Sequence, residues 1–361
     1  MATIQLQDLK AFCKAALVRE GMKEDYAAIV AEVLAETDAF GTYSHGTKNL
    51  HSYIKKARAG GLDLHGEPEL ITEGTAFAIY DAHRTMGMIP SYLAMEKAME
   101  KAEKTGIAAA AVKNSCHFGA AGYYANMAAK RGMLGISMSN VDPNMTAPGA
   151  KGMLLGNNPF AYSAPAVGTP SMFLDIALSN VASLKVVQAR KDGRQIPDTW
   201  IVDRDGLPTT DPSHYPEEGA MQPMAAHKGY GLAVMVDLLT GILSGGETSM
   251  GGGIVSWCFE MEKPNNVCHT FLAINPQLFN GKRSVADDVE RMAETLRGAP
   301  KAKGTERIYT PGEIEWNRHR AVEEKGLALP AEVEASLRGL AEDLGMELPV
   351  GDIASERKGC E

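Results

Sequence analysis

The chain of 361 residues lacks the features of a protein that binds nucleic acid or spans a membrane. Its formal net charge is −9, whereas neutralising nucleic-acid phosphates requires a basic surface. There is no run of about 18 apolar residues, and the N-terminal segment has neither the basic start nor the apolar stretch of a signal peptide. We therefore expect a cytoplasmic protein whose partner is a small molecule, with no nucleic-acid or membrane partner.

Signatures of disulfide and metal sites are also missing. The five cysteines are an odd number without CxxC spacing, so we expect reduced thiols. Cys116 and Cys268 each precede a histidine, but adjacent residues rarely ligate one metal and no second cluster completes either pair. A metal-dependent hydrolase or lyase using His45, His117 and Asp175 would need a ligand motif such as HExxH, which does not occur. We expect no bound metal.

The chain also lacks GxGxxG, the usual fingerprint of a dinucleotide-binding strand, turn and helix. The glycines of residues 245–253 follow an apolar helical stretch, which favours a mobile loop over a phosphate cradle. Composition and spacing by themselves therefore leave the cofactor undecided.

Hydrophobic periodicity predicts a mixture of helices and strands. Residues 6–18 and 26–34 show helical spacing, as do residues 285–296 and 330–344. Between them, strand-like runs at 76–80, 107–112 and 134–139 alternate with helical runs at 91–104 and 120–131. A further stretch of alternating strands and helices is expected over 172–210, with a turn at 203–206 between two strands, followed by a long apolar helix over 229–243. The length exceeds the usual limit of one core, which indicates two closely packed domains.

Three polar clusters lie among glycines at the ends of predicted elements: Ser44-His45-Gly46, residues 114–119, and residues 227–231. Such places let backbone approach a ligand and let side chains point into a cleft. A lone histidine there is more often a structural hydrogen-bonding group. Three similar junctions in one chain favour a functional site.

These clusters belong to a longer series of motifs. The series consists of Ser44-His45-Gly46, Ser115-Cys116-His117-Phe118-Gly119, Pro148-Gly149, Gly156-Asn157-Asn158-Pro159, Asp175-Ile176-Ala177, Ile196-Pro197-Asp198-Thr199-Trp200, residues 205–212 and Lys228-Gly229-Tyr230-Gly231. Each motif is weak alone, but in this order and spacing they resemble the type 2 malate/L-lactate dehydrogenase family over nearly the whole chain. That family also includes sulfolactate, ureidoglycolate and diketogulonate oxidoreductases and some cyclic imino-acid reductases.

The resemblance implies an α+β fold without a Rossmann domain. An all-helical domain, made of residues 1–75 and roughly 285–361, is expected to pack on an NAD(P)-binding and catalytic domain of roughly residues 76–284. The second domain is expected to contain a largely antiparallel or mixed sheet, with the helix over 229–243 bridging the two. The resemblance further implies a homodimer and either NAD or NADP as cofactor, with NAD the favoured one.

The resemblance also assigns roles by position. Ser44 and His45 match the acid/base pair of the family, and His117 is a further catalytic candidate. The expected cofactor-binding residues are His117, Phe118, Gly119, Asp175, Ile176, Ala177, Lys228, Gly229, Gly312 and Glu313. Asn157 falls where the family has a substrate-contacting polar residue.

The chemistry of 2-oxo acid reduction suits these residue types. Hydride goes to the carbonyl carbon and a proton to its oxygen, and histidine suits proton transfer because its pKa lies near neutrality. We expect His45 to transfer the proton with the help of Ser44. Lys185 matches a lysine of the oxo-acid enzymes and would stabilise the developing alkoxide, although an exposed charge at a strand end is an equal alternative from the sequence alone.

The chain departs from the family pattern around the substrate. The family often has an arginine shortly after Ser-His-Gly, suited to gripping a carboxylate, but Asn49 stands there with Lys48 beside it. Tyr43 and Leu184 are further departures. We therefore expect Lys48, Asn49 and Asn157 to contact a substrate larger than pyruvate or oxaloacetate.

Two other interpretations remain. A cyclic imino-acid reductase acting on piperideine or pyrroline carboxylate ranks second, because a carboxylate is expected at position 185 in such enzymes and Lys185 would repel an iminium. A non-catalytic scaffold would bind no reduced nicotinamide.

Overall fold

The computed structural model describes residues 2–281 and 283–351. Its helices are α1 (Leu6–Arg19), α2 (Glu24–Ala39), α3 (Leu50–Arg58), α4 (Met88–Thr105), α5 (Ala121–Lys130), α6 (Ser183–Lys191), α7 (His227–Asp237), α8 (Gln277–Asn280), α9 (Val285–Arg297), α10 (Glu313–Lys325) and α11 (Ala331–Leu344). Its strands are β1 (Thr3–Ile4), β2 (Glu69–Glu73), β3 (Phe77–Asp81), β4 (Ile107–Ser115), β5 (Leu134–Ser139), β6 (Phe160–Pro165), β7 (Ser171–Ile176), β8 (Ile201–Val202), β9 (Pro208–Thr209), β10 (Ala220–Met221), β11 (Val267–Ile274) and β12 (Leu327–Ala328).

A seven-stranded mixed sheet forms the centre, in the order β2-β3-β4-β11-β5-β6-β7. β3 and β4 are parallel, and the other neighbouring strands are antiparallel. α4 and α5 pack on this sheet. The helix α5 approaches β5 closely because residue 135 is glycine, where a Cβ would lie 2.3 Å from the carbonyl oxygen of Ala125. The predicted α+β class with a mixed, largely antiparallel sheet is confirmed.

The two ends of the chain meet in a helical layer. α1 and α2 form the predicted hairpin, α11 packs on α3, and the short β1 pairs with β12 so that Thr3 lies opposite Ala328. By contrast, α9 packs against β6 of the central sheet. The domain boundaries near residues 75 and 285 stay a prediction, and residues 352–361, which include Cys360, lie outside the described residues.

One continuous hydrophobic core joins the helical layer to the sheet. Leu34 and Leu50 of the helical layer and Phe271 of β11 are fully buried in it. Burying each such side chain contributes about 1.5–3 kcal/mol. A smaller cluster packs around α7 and the three-stranded sheet β10-β8-β9. The helices α2 and α3 and the strand β11 therefore share one packed core.

Residues 172–210 were expected to alternate between strands and helices, and they contain most of β7 followed by α6, β8 and β9. Residues 183–191 form α6, so Lys185 lies on the first turn of a helix and not at a strand end. Leu, Lys, Gln, Ala and Arg in this segment are good helix formers, and they outweigh the two valines. The turn at 203–206 is confirmed, since it joins the antiparallel strands β8 and β9.

The long apolar helix begins two residues before the predicted start, at His227. It continues past α7 through a π-helical turn at Leu238–Ile242. π-turns of this kind are rare and occur often near functional sites. Within the described residues, no helix has the length and apolar character needed to cross a membrane.

Candidate active site

The Ser44-His45-Gly46 segment forms a tight turn between α2 and α3. The carboxyl group of Asp38, fully buried near the end of α2, accepts hydrogen bonds from the backbone N–H of Thr47 (3.1 Å) and from its hydroxyl. From the other side, Nδ2 of Asn49 donates to the carbonyl oxygen of Ser44 (2.8 Å). The turn is thus held at both ends, and it presents the half-buried ring of His45.

The second predicted cluster follows β4 and brings His117 to the same place. The ring centroids of His45 and His117 are 5.3 Å apart. Nδ1 of His45 lies 2.8 Å from Oγ of Ser44, and Nδ1 of His117 lies 2.5 Å from the hydroxyl oxygen of Tyr53 on α3. Within residues 2–281 and 283–351, Nε2 of either ring has no hydrogen-bond partner. Both histidines therefore keep one ring nitrogen for a ligand.

Trp257 covers one side of this pair. Its ring stacks on Tyr53 at 4.7 Å and on His117 at 5.0 Å. The loop that carries Trp257 is fixed by the buried ammonium group of Lys56, which donates to the carbonyl oxygens of Glu260 (2.7 Å) and Lys263 (2.6 Å). α3 thus anchors both Trp257 and His117.

The surroundings of the two histidines keep them neutral. Burial, with a smaller contribution from the charge of Lys48, lowers the pKa of His45 to about 4. Burial and the neighbouring His45 lower the pKa of His117 well below its ordinary value. A neutral imidazole can accept a proton at one ring nitrogen and donate a hydrogen bond from the other, so both rings are suited to acid/base chemistry.

A third histidine supports the loop that carries His117. The fully buried His269 of β11 contacts Oγ of Ser139 through Nδ1 (2.8 Å) and Oγ of Ser115 through Nε2 (2.9 Å). Its ring stacks on Phe118 at 4.4 Å. Burial lowers the pKa of His269 to about 3, so this residue is a neutral structural group.

The predicted cofactor-binding residues Asp175, Ile176 and Ala177 lie at the end of β7 beside the start of α5. Oδ2 of Asp175 accepts the backbone N–H of Gly122 (2.7 Å). Burial raises the pKa of Asp175 to about 6, although the Gly122 bond opposes this. The carboxyl group therefore caps α5 and sits close to the loop of His117.

Lys228 and Gly229 begin α7, next to the segment that follows β7. The segment before α7 is joined to the segment after β7 by a hydrogen bond from the backbone N–H of Met224 to the carbonyl oxygen of Leu178 (2.8 Å). Lys228 is exposed, whereas Gly229 packs so tightly that a Cβ would lie 2.3 Å from the carbonyl oxygen of Met224. Gly229 is thus required for packing, and the ammonium group of Lys228 projects at the start of a helix.

The turn before α7 is strained. Ala225 and Ala226 have φ angles of +49° and +54°, a region that residues with a Cβ rarely adopt. Such strain is concentrated at functional sites. Nothing in the sequence of this alanine pair signalled it.

Gly312 and Glu313 lie at the start of α10 beside β7, where Phe173 N–H donates to the carbonyl oxygen of Pro311 (3.3 Å). Gly312 has φ +81°, and a Cβ there would lie 2.4 Å from the ring of Phe173. The buried carboxylate of Glu313 accepts hydrogen bonds from Thr310 N–H (3.0 Å) and from the guanidinium of Arg297 (3.2 Å). Burial alone would raise the pKa of Glu313, but these bonds outweigh it and lower the pKa to about 2. The carboxylate thus stabilises the helix start.

The predicted substrate residues are spread more widely. Asn157 is half-buried. Its backbone carbonyl oxygen accepts a hydrogen bond from Leu178 N–H (2.7 Å), which places Asn157 beside the segment after β7. Lys48 is paired with Glu332 of α11 (3.0 Å). Lys185 is exposed, and in the described part of the chain no hydrogen bond or ion pair joins it to either histidine.

The residues gathered here fit a nicotinamide dinucleotide. An exposed ammonium at a helix start suits a phosphate, because the helix N–H groups also favour anions. A half-buried carboxylate such as Asp175 suits a ribose hydroxyl. Within the described ranges, histidine, cysteine and carboxylate side chains do not assemble into a group of three that could hold a metal ion.

Sequence reasoning did not identify Tyr53, Trp257, Asp38 or His269. Each is a single residue in an ordinary helix, loop or strand, with no motif around it. For His269 the adjacent Cys268 was considered as a metal ligand and rejected, and no structural role was predicted.

Residues 4–338 match the sequence profile of a family described as malate/L-lactate dehydrogenase. A malate dehydrogenase of Pyrococcus abyssi is 38% identical over 317 residues, covering 86% of each chain. The solved sulfolactate dehydrogenase of Methanocaldococcus jannaschii superimposes with a TM-score of 0.88 at 30% identity, covering 96% of this chain and 98% of that one. A delta1-piperideine-2-carboxylate reductase of Pseudomonas syringae has a TM-score of 0.84 at 28% identity, covering 94% and 100%.

These matches cover nearly the whole chain, and they confirm the family that the series of motifs indicated. Dehydrogenases of this family use nicotinamide cofactors. The chain therefore belongs to the malate/L-lactate dehydrogenase family and is a dehydrogenase that acts on CH–OH donors.

Proposed function

We propose that the enzyme interconverts a 2-oxo acid and its 2-hydroxy acid, with the proton transferred by His45. The observation that carries this proposal is the pair of histidine rings 5.3 Å apart, each bound through Nδ1 and each with Nε2 left for a ligand. A carbonyl or hydroxyl oxygen between the two rings would meet two nitrogen atoms.

In the oxidation direction, neutral His45 removes the proton of the substrate hydroxyl through Nε2. Ser44 Oγ orients the ring through Nδ1. Burial of the ring, with a smaller contribution from the positive charge of Lys48, lowers the pKa of His45 and keeps the ring unprotonated until the substrate is bound. In the reduction direction, a bound substrate carboxylate would raise the pKa of His45 and allow it to return the proton.

The cofactor-binding residues in this proposal are the loop of His117 to Gly119, the segment Asp175 to Ala177, Lys228 with Gly229, and Gly312 with Glu313. These residues would hold the nicotinamide, and the chemistry it would supply there is hydride exchange with the carbon atom that bears the oxygen. The carboxyl group of Asp175, with Glu315 close enough to raise its pKa further, makes this part of the site acidic. Acidity favours NAD over NADP, since a 2′-phosphate would need a cation.

The substrate is proposed to be larger and more polar than pyruvate or oxaloacetate. Asn49 replaces the expected arginine, and its Nδ2 is already bonded to Ser44. The Oδ1 atom of Asn49 and the side-chain amide of Asn157 are uncharged polar groups, suited to hydrogen bonds with hydroxyl or amide groups of a substrate. The carboxylate is then held by Lys185 or by backbone amides.

We further propose that the enzyme is a homodimer. The long helix exposes a row of apolar side chains on its outer face: Leu232, Leu238, Ile242 and Leu243, with 42%, 54%, 62% and 51% of their surface exposed. Contiguous apolar surface on a helix is typical of an interaction site. Sedimentation analysis of the wild type and of a Leu238→Lys variant tests this point, because the charge is expected to shift the enzyme toward monomer.

Reduction of a cyclic imino acid is the second candidate, because the likeness to a piperideine-carboxylate reductase extends over 94% of this chain. One panel of substrate assays distinguishes the two candidate functions. The purified enzyme is assayed with short 2-oxo acids, hydroxylated or amide-bearing 2-oxo acids, and cyclic imines, against both NADH and NADPH. We expect turnover of the larger 2-oxo acids with NADH. Turnover of cyclic imines alone would overturn the proposal, and failure to bind either reduced cofactor would reject an enzyme function of this kind.

A further inference from the structure

The environment of His117 Nδ1 decides where the proton of this imidazole lies. Two groups lie within hydrogen-bonding distance of Nδ1, the hydroxyl of Tyr53 at 2.5 Å and the backbone N–H of Gly119 at 3.4 Å. A backbone N–H can only donate. The contact with Gly119 therefore favours Nδ1 as the acceptor, and the Tyr53 hydroxyl is the nearer of the two donors that share its lone pair.

Tyr53 is suited to donate. Its ring is almost completely buried on α3, and burial raises the pKa of its hydroxyl well above the ordinary value, so the hydroxyl keeps its proton. Trp257 stacks on both Tyr53 and His117 and shields their hydrogen bond from water. A buried hydrogen bond of this kind is costly to break without a replacement partner.

From this geometry we propose that Tyr53 is a positioning residue that holds neutral His117 in the tautomer with its proton on Nε2. The inference rests on the proposed function, in which both histidines face the substrate. It divides the roles of the pair. His117 is a fixed hydrogen-bond donor toward the substrate oxygen, and His45, whose Nδ1 contacts the adaptable hydroxyl of Ser44, transfers the proton.

The division is consistent with the electrostatics of the pair. Each ring is close enough to the other that a charge on one disfavours a charge on the other. A neutral donor at position 117 leaves His45 as the one ring that gains and loses a proton. A neutral imidazole N–H aimed at an oxygen that becomes negative stabilises the transition state without itself changing charge.

The tautomer is measured directly by NMR of the full enzyme labelled with ¹⁵N-histidine, in which the two ring nitrogens of each tautomer have different shifts. The His117 signals are assigned by their loss in His117→Gln. We expect wild-type His117 to show a protonated Nε2 and an unprotonated Nδ1. Finding the proton on Nδ1 would overturn the proposal, whatever the behaviour of any variant.

Tyr53→Phe keeps the ring stack and removes the donor. We expect its His117 signals to shift toward a mixture of tautomers, and its kcat to fall at least about tenfold with an unchanged Kd for NADH. The control is Tyr215→Phe, which removes another buried hydroxyl, 3.0 Å from Ser183 Oγ, and should leave both readouts unchanged. An unaltered His117 spectrum in Tyr53→Phe would also refute the proposal.

These results are separable from the proposed function. If the wild type shows the Nε2 tautomer but reduces no 2-oxo acid, the substrate assignment fails while the role of Tyr53 in fixing the tautomer stands. If the enzyme reduces 2-oxo acids but His117 is protonated on Nδ1, only the inference about Tyr53 fails.

Discussion

Gly46 lies against the carboxyl group of Asp38 so closely that a Cβ at position 46 would lie 1.8 Å from Oδ1 and 2.5 Å from Cγ. Glycine is thus required between His45 and Thr47 because the buried carboxyl group occupies the place of a side chain. The same carboxyl group holds Thr47. The position of His45 therefore depends on a residue at the end of the preceding helix.

Gly46→Ala is expected to displace Asp38 or the turn and to move His45. We expect kcat to fall at least about tenfold and stability to fall by about 1–3 kcal/mol, as for other forced insertions into packed sites. Steady-state kinetics and urea unfolding measure the two effects. Gly339→Ala on α11 is the control, because its Cβ would have only ordinary contacts at 3.6 Å and helix propensity favours it. Wild-type kinetics in Gly46→Ala would mean that the turn is not constrained by Asp38.

The free energy of unfolding of the enzyme should depend on the protonation of Asp38. Burial raises the pKa of this carboxyl group from 3.8 to about 7, although the hydrogen bonds from Thr47 oppose the rise. The folded state then holds the proton more tightly than the unfolded chain. The stabilisation that this proton gives the folded state is complete below the pKa of the carboxyl group in the unfolded chain. It declines as the pH rises and is lost above about 7.

Asp38→Asn should remove that dependence. We expect the free energy of unfolding of the wild type, relative to Asp38→Asn, to decrease between about pH 4 and pH 7, with the sign set by the linkage of proton binding to folding. Urea unfolding of both proteins across this range provides the measurement. A difference that is constant with pH, or one that increases, would contradict a raised pKa.

His45→Ala should separate chemistry from binding. A positioned acid/base group contributes about a hundredfold or more to turnover, so kcat is expected to fall by that factor while the Kd for NADH stays nearly unchanged. The exposed His83, paired with Glu69 at the surface, supplies the matched control His83→Ala. If His45→Ala keeps wild-type turnover across pH, the proton is transferred by His117.

Lys228→Ala should weaken cofactor binding. A charge-assisted hydrogen bond to a phosphate is worth about 1.5–3 kcal/mol, so the Kd for NADH should rise about tenfold or more. NADH fluorescence titration measures it, with Lys191→Ala, another exposed lysine, as control. Equal constants for Lys228→Ala and the wild type would make Lys228 a surface residue without a role in binding.

Asn49→Arg tests how the enzyme binds the carboxylate of its substrate. The guanidinium is expected to improve kcat/KM for short 2-oxo acids relative to larger polar ones, because a bidentate charged pair is stronger than an amide contact. Asn49→Ala is the control, since it also loses the hydrogen bond to Ser44 without adding a charge. The account of the pocket is wrong if the wild type already uses oxaloacetate efficiently and Asn49→Arg impairs it more than Asn49→Ala does.

Most elements could be predicted because their signals are local. The spacing of apolar residues in α1, α2, α4 and α11 is set by the helical repeat, and the alternation in β3 and β5 by the pleat of a strand. Lys185 was considered at a strand end, whereas it lies on α6, because nine residues with two valines fit a strand or a helix equally well until packing decides.

The features of the site likewise divide into those that the sequence indicates and those that depend on tertiary packing. The sequence by itself determined the family, and it singled out His45 and His117 as the residues proposed to carry the chemistry, since reactive groups in glycine-flanked turns form motifs that are contiguous in the chain. Only the tertiary structure decided which hydrogen bonds set their protonation. Tyr53 lies 64 residues from His117, and His269 lies 154 residues from Ser115. Such partners are chosen by the packing of distant helices and strands, which leaves no local pattern in the chain.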